Sequence, residues 1–103
     1  MVKYNEYNQG DIIRIEGIKD KVVIVSKNVF NQFGLVFGCP IYTHGESGPL
    51  HIYINTKETE GYVHCEKLKL LDLKARGSIC LDRIPINAIV DITDAIQGIF
   101  DYI

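Results

Sequence analysis

Apolar and polar positions alternate in short runs along most of the chain, then switch to a three- and four-residue recurrence near its end. After the turn cluster Asn8-Gln9-Gly10-Asp11, the segment Ile12-Ile13-Arg14-Ile15-Glu16 alternates from Ile13 onward, which predicts a first strand entered through a glycine turn. Lys21 to Ser26 is β-branched almost throughout and reads as a strand buried on both faces. Asn28 to Gly34 predicts a turn or a single helical turn ended by its glycine. Leu35 to Ile41 is the next strand; Gly38 marks a place where another element approaches closely, and Pro40 falls near the end, where a missing N–H is tolerated. Leu50–Asn55, Tyr62–Glu66 and roughly Leu68–Leu73 are three further strands, with a charged turn from Thr56 to Gly61. Pro85 suits a first helical turn, and Ile86, Ile89, Val90, Ile92, Thr93, Ile96, Ile99 and Phe100 follow at helical spacing. The pattern predicts one mainly β domain over residues 1–103, a curled or barrel-like antiparallel sheet closed by a C-terminal amphipathic helix.

Within that frame, Gly61 to Gly77 (G-Y-V-H-C-E-K-L-K-L-L-D-L-K-A-R-G) is where a His, a Cys and a Glu fall together. Side chains of a strand alternate between faces, so His64 and Glu66 are expected side by side on one surface of the sheet. Histidine titrates near neutrality and serves as acid or base, and a carboxylate nearby favours its charged form. A His and a Glu on a strand also occur as nothing more than a solvated sheet face. Tyr42 to Pro49 (Y-T-H-G-E-S-G-P) is the most polar, glycine-rich loop, and loops mounted on a sheet tend to carry function. Lys67, Lys69, Lys74 and Arg76 form a basic run that suits a phosphate backbone, and equally suits edge protection of exposed strands. Tyr42, Tyr53 and Tyr62 are able to stack bases or to pack the sheet.

Composition narrows the classes. The 103 residues are 47% hydrophobic and 23% charged, with a net charge of -2, so there is no global attraction to nucleic acid or anionic membrane, although a local basic patch is compatible with that balance. No apolar run approaches the ~20 residues a bilayer span needs, and the N-terminal M-V-K-Y-N-E-Y-N-Q-G-D has no signal-peptide core, which points to the cytoplasm. Cys39, Cys65 and Cys80 are widely spaced and odd in number, so reduced thiols are expected. His44, His51 and His64 lack the spacing of a metal motif, and no metal or other cofactor is expected.

The blocks G-D-I, V-V-I-V-S, F-N-Q-F-G and C-P-I-Y-T, followed by L-L-D-L-K-A-R-G and L-D-R-I-P, stand in an order that resembles the MazF/PemK/Kid-type toxins of type II toxin–antitoxin systems, from Gly10 to about Phe100. The resemblance implies an SH3-like barrel with a C-terminal helix (the fold shared with CcdB-type toxins) and a homodimer held by a cognate antitoxin. It implies metal-independent cleavage of single-stranded RNA to 2′,3′-cyclic phosphate and 5′-hydroxyl ends. Thr43 matches the family's catalytic Thr or Ser after the P-x-T strand end, and His64-Cys65-Glu66 stands where Kid-like members have Arg-x-Asp. The family's loop Arg, in a G-x-R-P context before V-V-x-V-S, has no match: the loop shrinks to Gly17-Ile18-Lys19-Asp20-Lys21, and its position aligns with Asp20. Lys19 or Lys21 then supplies the cation. The resemblance thus implies Thr43, His64, Glu66 and Lys21 as catalytic residues, with Lys19, Tyr42, His44 and Lys67 contacting RNA. A relative of the same fold that acts by binding a protein, as CcdB-like toxins bind gyrase, or a degenerate antitoxin-binding member, is the alternative the resemblance leaves open. The aromatic end Gly98–Ile103 is loosely similar to the CcdB-like tail.

Overall fold

A computed structural model describes residues 7–100. The N-terminal stretch 1–6, which bore on localisation, and the last part of the tail, 101–103, lie outside the described residues. Seven antiparallel strands follow in the order β1 Asp11–Ile15, β2 Lys21–Ile24, β3 Leu35–Tyr42, β4 His51–Asn55, β5 Glu60–His64, β6 Lys69–Asp72 and β7 Ser78–Arg83. A short helix α1, Asn28–Asn31, sits between β2 and β3, and α2, Ile86–Phe100, ends the fold. The sheet order is β4-β5-β3-β2-β1-β7, with β6 also pairing β3. The long β3 makes this possible: its first half pairs β6 from Leu35↔Asp72 to Gly38↔Lys69, and its end pairs β5 at Ile41↔Val63 and Tyr42↔Tyr62. One sheet thereby curls round two cores, as the alternation predicted.

The cores follow from strand parity. Ile12, Val23, Cys39, Ile41, Val63 and Cys65 point to one side and meet Ile92 of α2, with Ile89 and Ile96 packed beside it. Ile13, Ile15, Val22, Ile24, Val36 and Leu73 fill the other side. Consecutive residues of β2 enter both cores, which is why its β-branched run has no polar face. Gly38 is required where β3 crosses β2: a Cβ there would lie 2.4 Å from Cγ1 of buried Val22 and 3.2 Å from Cδ1 of Leu71. Gly38→Ala is therefore expected to overpack the sheet and lower stability by about 1–3 kcal/mol, measured as a lowered midpoint in urea unfolding.

Two elements depart from the pattern-based reading. The strand expected over Tyr62–Glu66 ends at His64, and Cys65–Lys67 forms a 3₁₀ turn instead. β7 was not foreseen, because Ile79 and Cys80 are exposed and Leu81 only half-buried, so no apolar face announces a strand. It is held by backbone pairing to β1, broken by a bulge at Ile12/Ile13, and by Arg83 Nε donating to buried Asp11 at 2.8 Å. A polar, half-open edge of this kind leaves little hydrophobic signal.

Candidate active site

The hairpin of β4 and β5 sets the site. Its register places His51 opposite His64 and Tyr53 opposite Tyr62, while Tyr42 at the end of β3 pairs Tyr62 from the other side. Directly paired residues share a face, so all five rings gather on one surface. The His51 and His64 rings stack at 3.9 Å with 25° between their planes, and Tyr42 meets His64 edge-on at 4.5 Å. Tyr53 and Tyr62 continue the row at 5.4 Å. Lys67 lies over the Tyr42 ring, 4.8 Å from its centre, and donates to its hydroxyl at 3.4 Å. Gly61 lets the strands close this tightly, since a Cβ would come within 2.5 Å of the Tyr42 carbonyl oxygen.

Glu66 reaches this group by a different route from the one expected. Because the chain leaves the strand after His64, Glu66 does not stand beside His64 on the sheet; the 3₁₀ turn carries its carboxylate to His51, with Oε2 2.8 Å from Nε2. That hydrogen bond is the main reason the Glu66 carboxyl is held below its usual range. An ionised carboxylate only accepts, so His51 Nε2 carries the proton. His64 is shifted the other way: burial, then repulsion from His51, lowers its pKa, and its neutral form is favoured. Its Nε2 is shut off from solvent and has no hydrogen-bond partner among the described residues. Gly45, in the loop after Tyr42, roofs it; a Cβ on that glycine would lie 4.0 Å from the nitrogen.

A cleft of about 580 Å³ opens next to this surface, lined by Arg14, Lys19, Asp20 and Lys21 on one side and Tyr42, Thr43 and His44 on the other, with Thr59 and Glu60. Tyr42, the last residue of β3, both meets His64 and lines the cleft, and Thr43 in the bend that follows lines the cleft beside it. Thr43 and His44 are exposed, and among the described residues no hydrogen bond joins Thr43 to His64 or Glu66. Lys21 is held in place, its Nζ donating to the Glu58 carbonyl at 3.1 Å and to Thr59 Oγ1 at 3.2 Å. Continuing the β1–β2 register by one step puts Arg14 opposite Lys21, which brings a guanidinium into the cleft where the shortened loop has none. Tyr42 borders both regions and joins them.

The thiols take no part. Cys39 and Cys65 are buried, and burial pushes them up to about 12 and about 11, so neither offers a thiolate at neutral pH. Of the three cysteines, native protein treated with iodoacetamide at pH 8 is expected to be modified at exposed Cys80 alone; mass spectrometry after unfolding should show all three reacting.

The family model described as PemK-like, MazF-like toxin of type II toxin-antitoxin system matches residues 8–100. The chain belongs to this family. The same fold appears in solved structures: MazE-MazF (Form-I) from Deinococcus radiodurans superposes with a TM-score of 0.84 at 15% identity, covering 92% of this chain and 96% of that one. An endoribonuclease from mycobacterial species gives 0.80 at 20% identity, over 92% and 91%. An endoribonuclease in complex with its cognate antitoxin, also mycobacterial, gives 0.77 at 20% identity, over 89% and 92%. At such identities these similarities establish the fold alone. No curated protein sequence matches the chain.

Two residues that the structure brings to this surface and its cleft were not among those the sequence pointed to. His51 looked like one polar member of an alternating strand, and its partnership depends on the hairpin register. A turn centred one residue later would have set His51 opposite Glu66; the observed closure, Thr56 N to the Thr59 carbonyl at 2.7 Å, sets it opposite His64. The alternation over Leu50–Asn55 did place His51 on the face away from Ile52 and Ile54, and that was the available signal. Arg14 gave no signal in the sequence because it lies on β1, outside the loop before V-V-I-V-S, and reaches the cleft only through the β1–β2 register.

Proposed function

We propose that this toxin is a metal-independent endoribonuclease that cleaves single-stranded RNA to 2′,3′-cyclic phosphate and 5′-hydroxyl ends. The observation that carries the reading is the unpartnered, neutral His64 nitrogen bordering, through Tyr42, a cleft lined by Arg14, Lys19 and Lys21. Such cleavage needs a base for the ribose 2′-hydroxyl, cations for the phosphorane, and an acid for the departing 5′-oxygen. His64 takes the 2′-hydroxyl proton once the Gly45 loop lifts. Glu66, anchored on His51, then stabilises the imidazolium, since its charge favours the protonated ring. Attacking and leaving oxygens lie on opposite sides of phosphorus, so the stacked His51 does not serve the leaving group as well. That proton comes from Lys21, whose ammonium has two of its three donors engaged. Thr43 donates its hydroxyl to a phosphate oxygen, Arg14 and Lys19 draw in the backbone, and Tyr42, His44 and Lys67 hold the neighbouring nucleotides.

The whole chain, residues 1–103, acts in this reading as a single toxin domain in the cytoplasm, as a homodimer silenced by a cognate antitoxin. The mycobacterial relative solved with its antitoxin supports that partner. An apolar patch where Phe30 stacks on Phe37 at 5.4 Å, Phe37 pairs Leu70, and Val29, Phe33 and Leu35 stand exposed supports a protein-covered face. No helix among the described residues is long and apolar enough to cross a membrane.

The deciding experiment incubates the purified toxin with single-stranded RNA in EDTA and assays the fragment ends. Fragments with 5′-hydroxyl and cyclic phosphate termini are expected. Intact RNA together with inhibition of gyrase supercoiling would overturn the reading in favour of a CcdB-like, protein-binding toxin, and intact RNA with antitoxin binding alone would leave a degenerate member.

A further inference from the structure

We propose that His51, His64 and Glu66 form a binding site for a divalent transition-metal ion, with zinc the ion that best suits the donors. One ligand atom from each residue lies within 4.8 Å of the other two, close enough for side-chain rotations to bring all three onto a single ion. The second observation is independent of that clustering: His64 Nε2 is buried without any hydrogen-bond partner, a costly state for a polar atom unless something fills it. The donors also sit on a rigid frame. His51 and His64 are fixed opposite each other by the β4–β5 ladder, and Glu66 follows on the 3₁₀ turn, extended from the ladder by Cys65 N donating to the Leu50 carbonyl at 2.8 Å.

The donor set selects the class of ion. Two imidazoles and one carboxylate suit zinc, with a fourth, open position for water or a ligand. Calcium and magnesium seek mostly oxygen donors, and a single carboxylate is a poor offer to either. Cys65 adds nothing, because its side chain points into the core among Val63 and Cys39. Closing on an ion exchanges the His51–Glu66 hydrogen bond for two metal bonds, the Nε2 proton moving to Nδ1 by tautomerisation through solvent, and opens the angle between the stacked rings. Both moves are rotations of partly exposed side chains. Lys67, the neighbouring cation, is exposed and free to swing from Tyr42 toward solvent.

This site stands whether or not the toxin cuts RNA, because it is read by binding. Where the toxin does cut RNA, zinc would occupy the base, His64, and act as a reversible inhibitor. The test uses the full chain, stripped with chelator and dialysed. Isothermal titration with zinc chloride is expected to show one equivalent bound per chain. His51→Gln and Glu66→Gln should each weaken binding by at least the roughly 10–100-fold that loss of an outer-shell partner alone costs. His44→Gln and Cys80→Ser should leave the affinity unchanged, which separates this site from the loop histidine and the exposed thiol. Cobalt added to the wild-type protein should give visible ligand-field bands that zinc abolishes, a readout that needs no variant to fold. Absence of saturable zinc binding and of cobalt bands, unchanged affinity in both His51→Gln and Glu66→Gln, or loss of binding in Cys80→Ser would overturn the proposal. RNA cleavage in EDTA is measured separately, so failure of either reading leaves the other intact.

Discussion

Replacing His64 by alanine is expected to slow RNA cleavage by about 10²–10⁴-fold, the range a positioned general base contributes. The argument rests on how the ring is held. Burial and the neighbouring His51 keep it neutral, and its Nε2 has no competing partner to give up before accepting a proton. His64→Gln should be nearly as slow, because an amide keeps polarity and size without basicity. Glu66→Gln should cost less than either, since it removes a charge that favours the imidazolium and leaves the base in place. These losses should appear in kcat/KM for a fluorescent RNA oligonucleotide in EDTA, with circular dichroism melts close to wild type, since Glu66 is exposed and His64 is only partly buried. A His64→Ala protein that cleaves at the wild-type rate would remove His64 from the chemistry.

The fold was legible because strand parity and helical spacing are local properties. Val22, Val23 and Ile24 all being buried, Gly38 yielding to Val22, and Pro85 immediately preceding α2 each follow from a few neighbouring residues. The site was legible only in part, because its decisive contacts are between elements. Strand parity in the sequence pairs His64 with Glu66, yet the partner of Glu66 is His51, fifteen residues away, and the contact depends on a 3₁₀ turn that alternation cannot announce. Thr43 and Lys21 do line one cleft, whereas their relation to the histidines passes through Tyr42, which lines that cleft and meets His64 edge-on. β7 was invisible for the opposite reason: it is held by backbone hydrogen bonds and an Asp11–Arg83 ion pair, with Ile79 facing solvent. Hydrophobic pattern reports burial, and a strand with little burial leaves little pattern.

Lys21→Ala is expected to lower kcat by about 10²–10³-fold, the cost of removing one preorganised stabiliser of transition-state charge, while Arg14→Ala should act mainly on KM. The difference comes from how the two cations are held. Lys21 Nζ is tethered to the Glu58 carbonyl and Thr59 Oγ1, and Thr59 is itself buried, so the ammonium is already placed when charge develops on the departing 5′-oxygen. Such preorganised interactions are spent in the transition state and appear in kcat. Arg14 is exposed on β1 and forms no ion pair among the described residues, so it meets the RNA backbone as a mobile clamp whose binding is much the same in the ground and transition states. Its loss should also reduce the slope of log affinity against log salt by about one, as for a single phosphate contact. Thr59→Val, which removes the hydroxyl tether and keeps the side-chain volume, should reproduce part of the Lys21 loss with the ammonium still present. Were Arg14→Ala to abolish turnover while Lys21→Ala and Thr59→Val left kcat untouched, the guanidinium would be the catalytic cation, and β1 would have replaced the family's loop arginine outright.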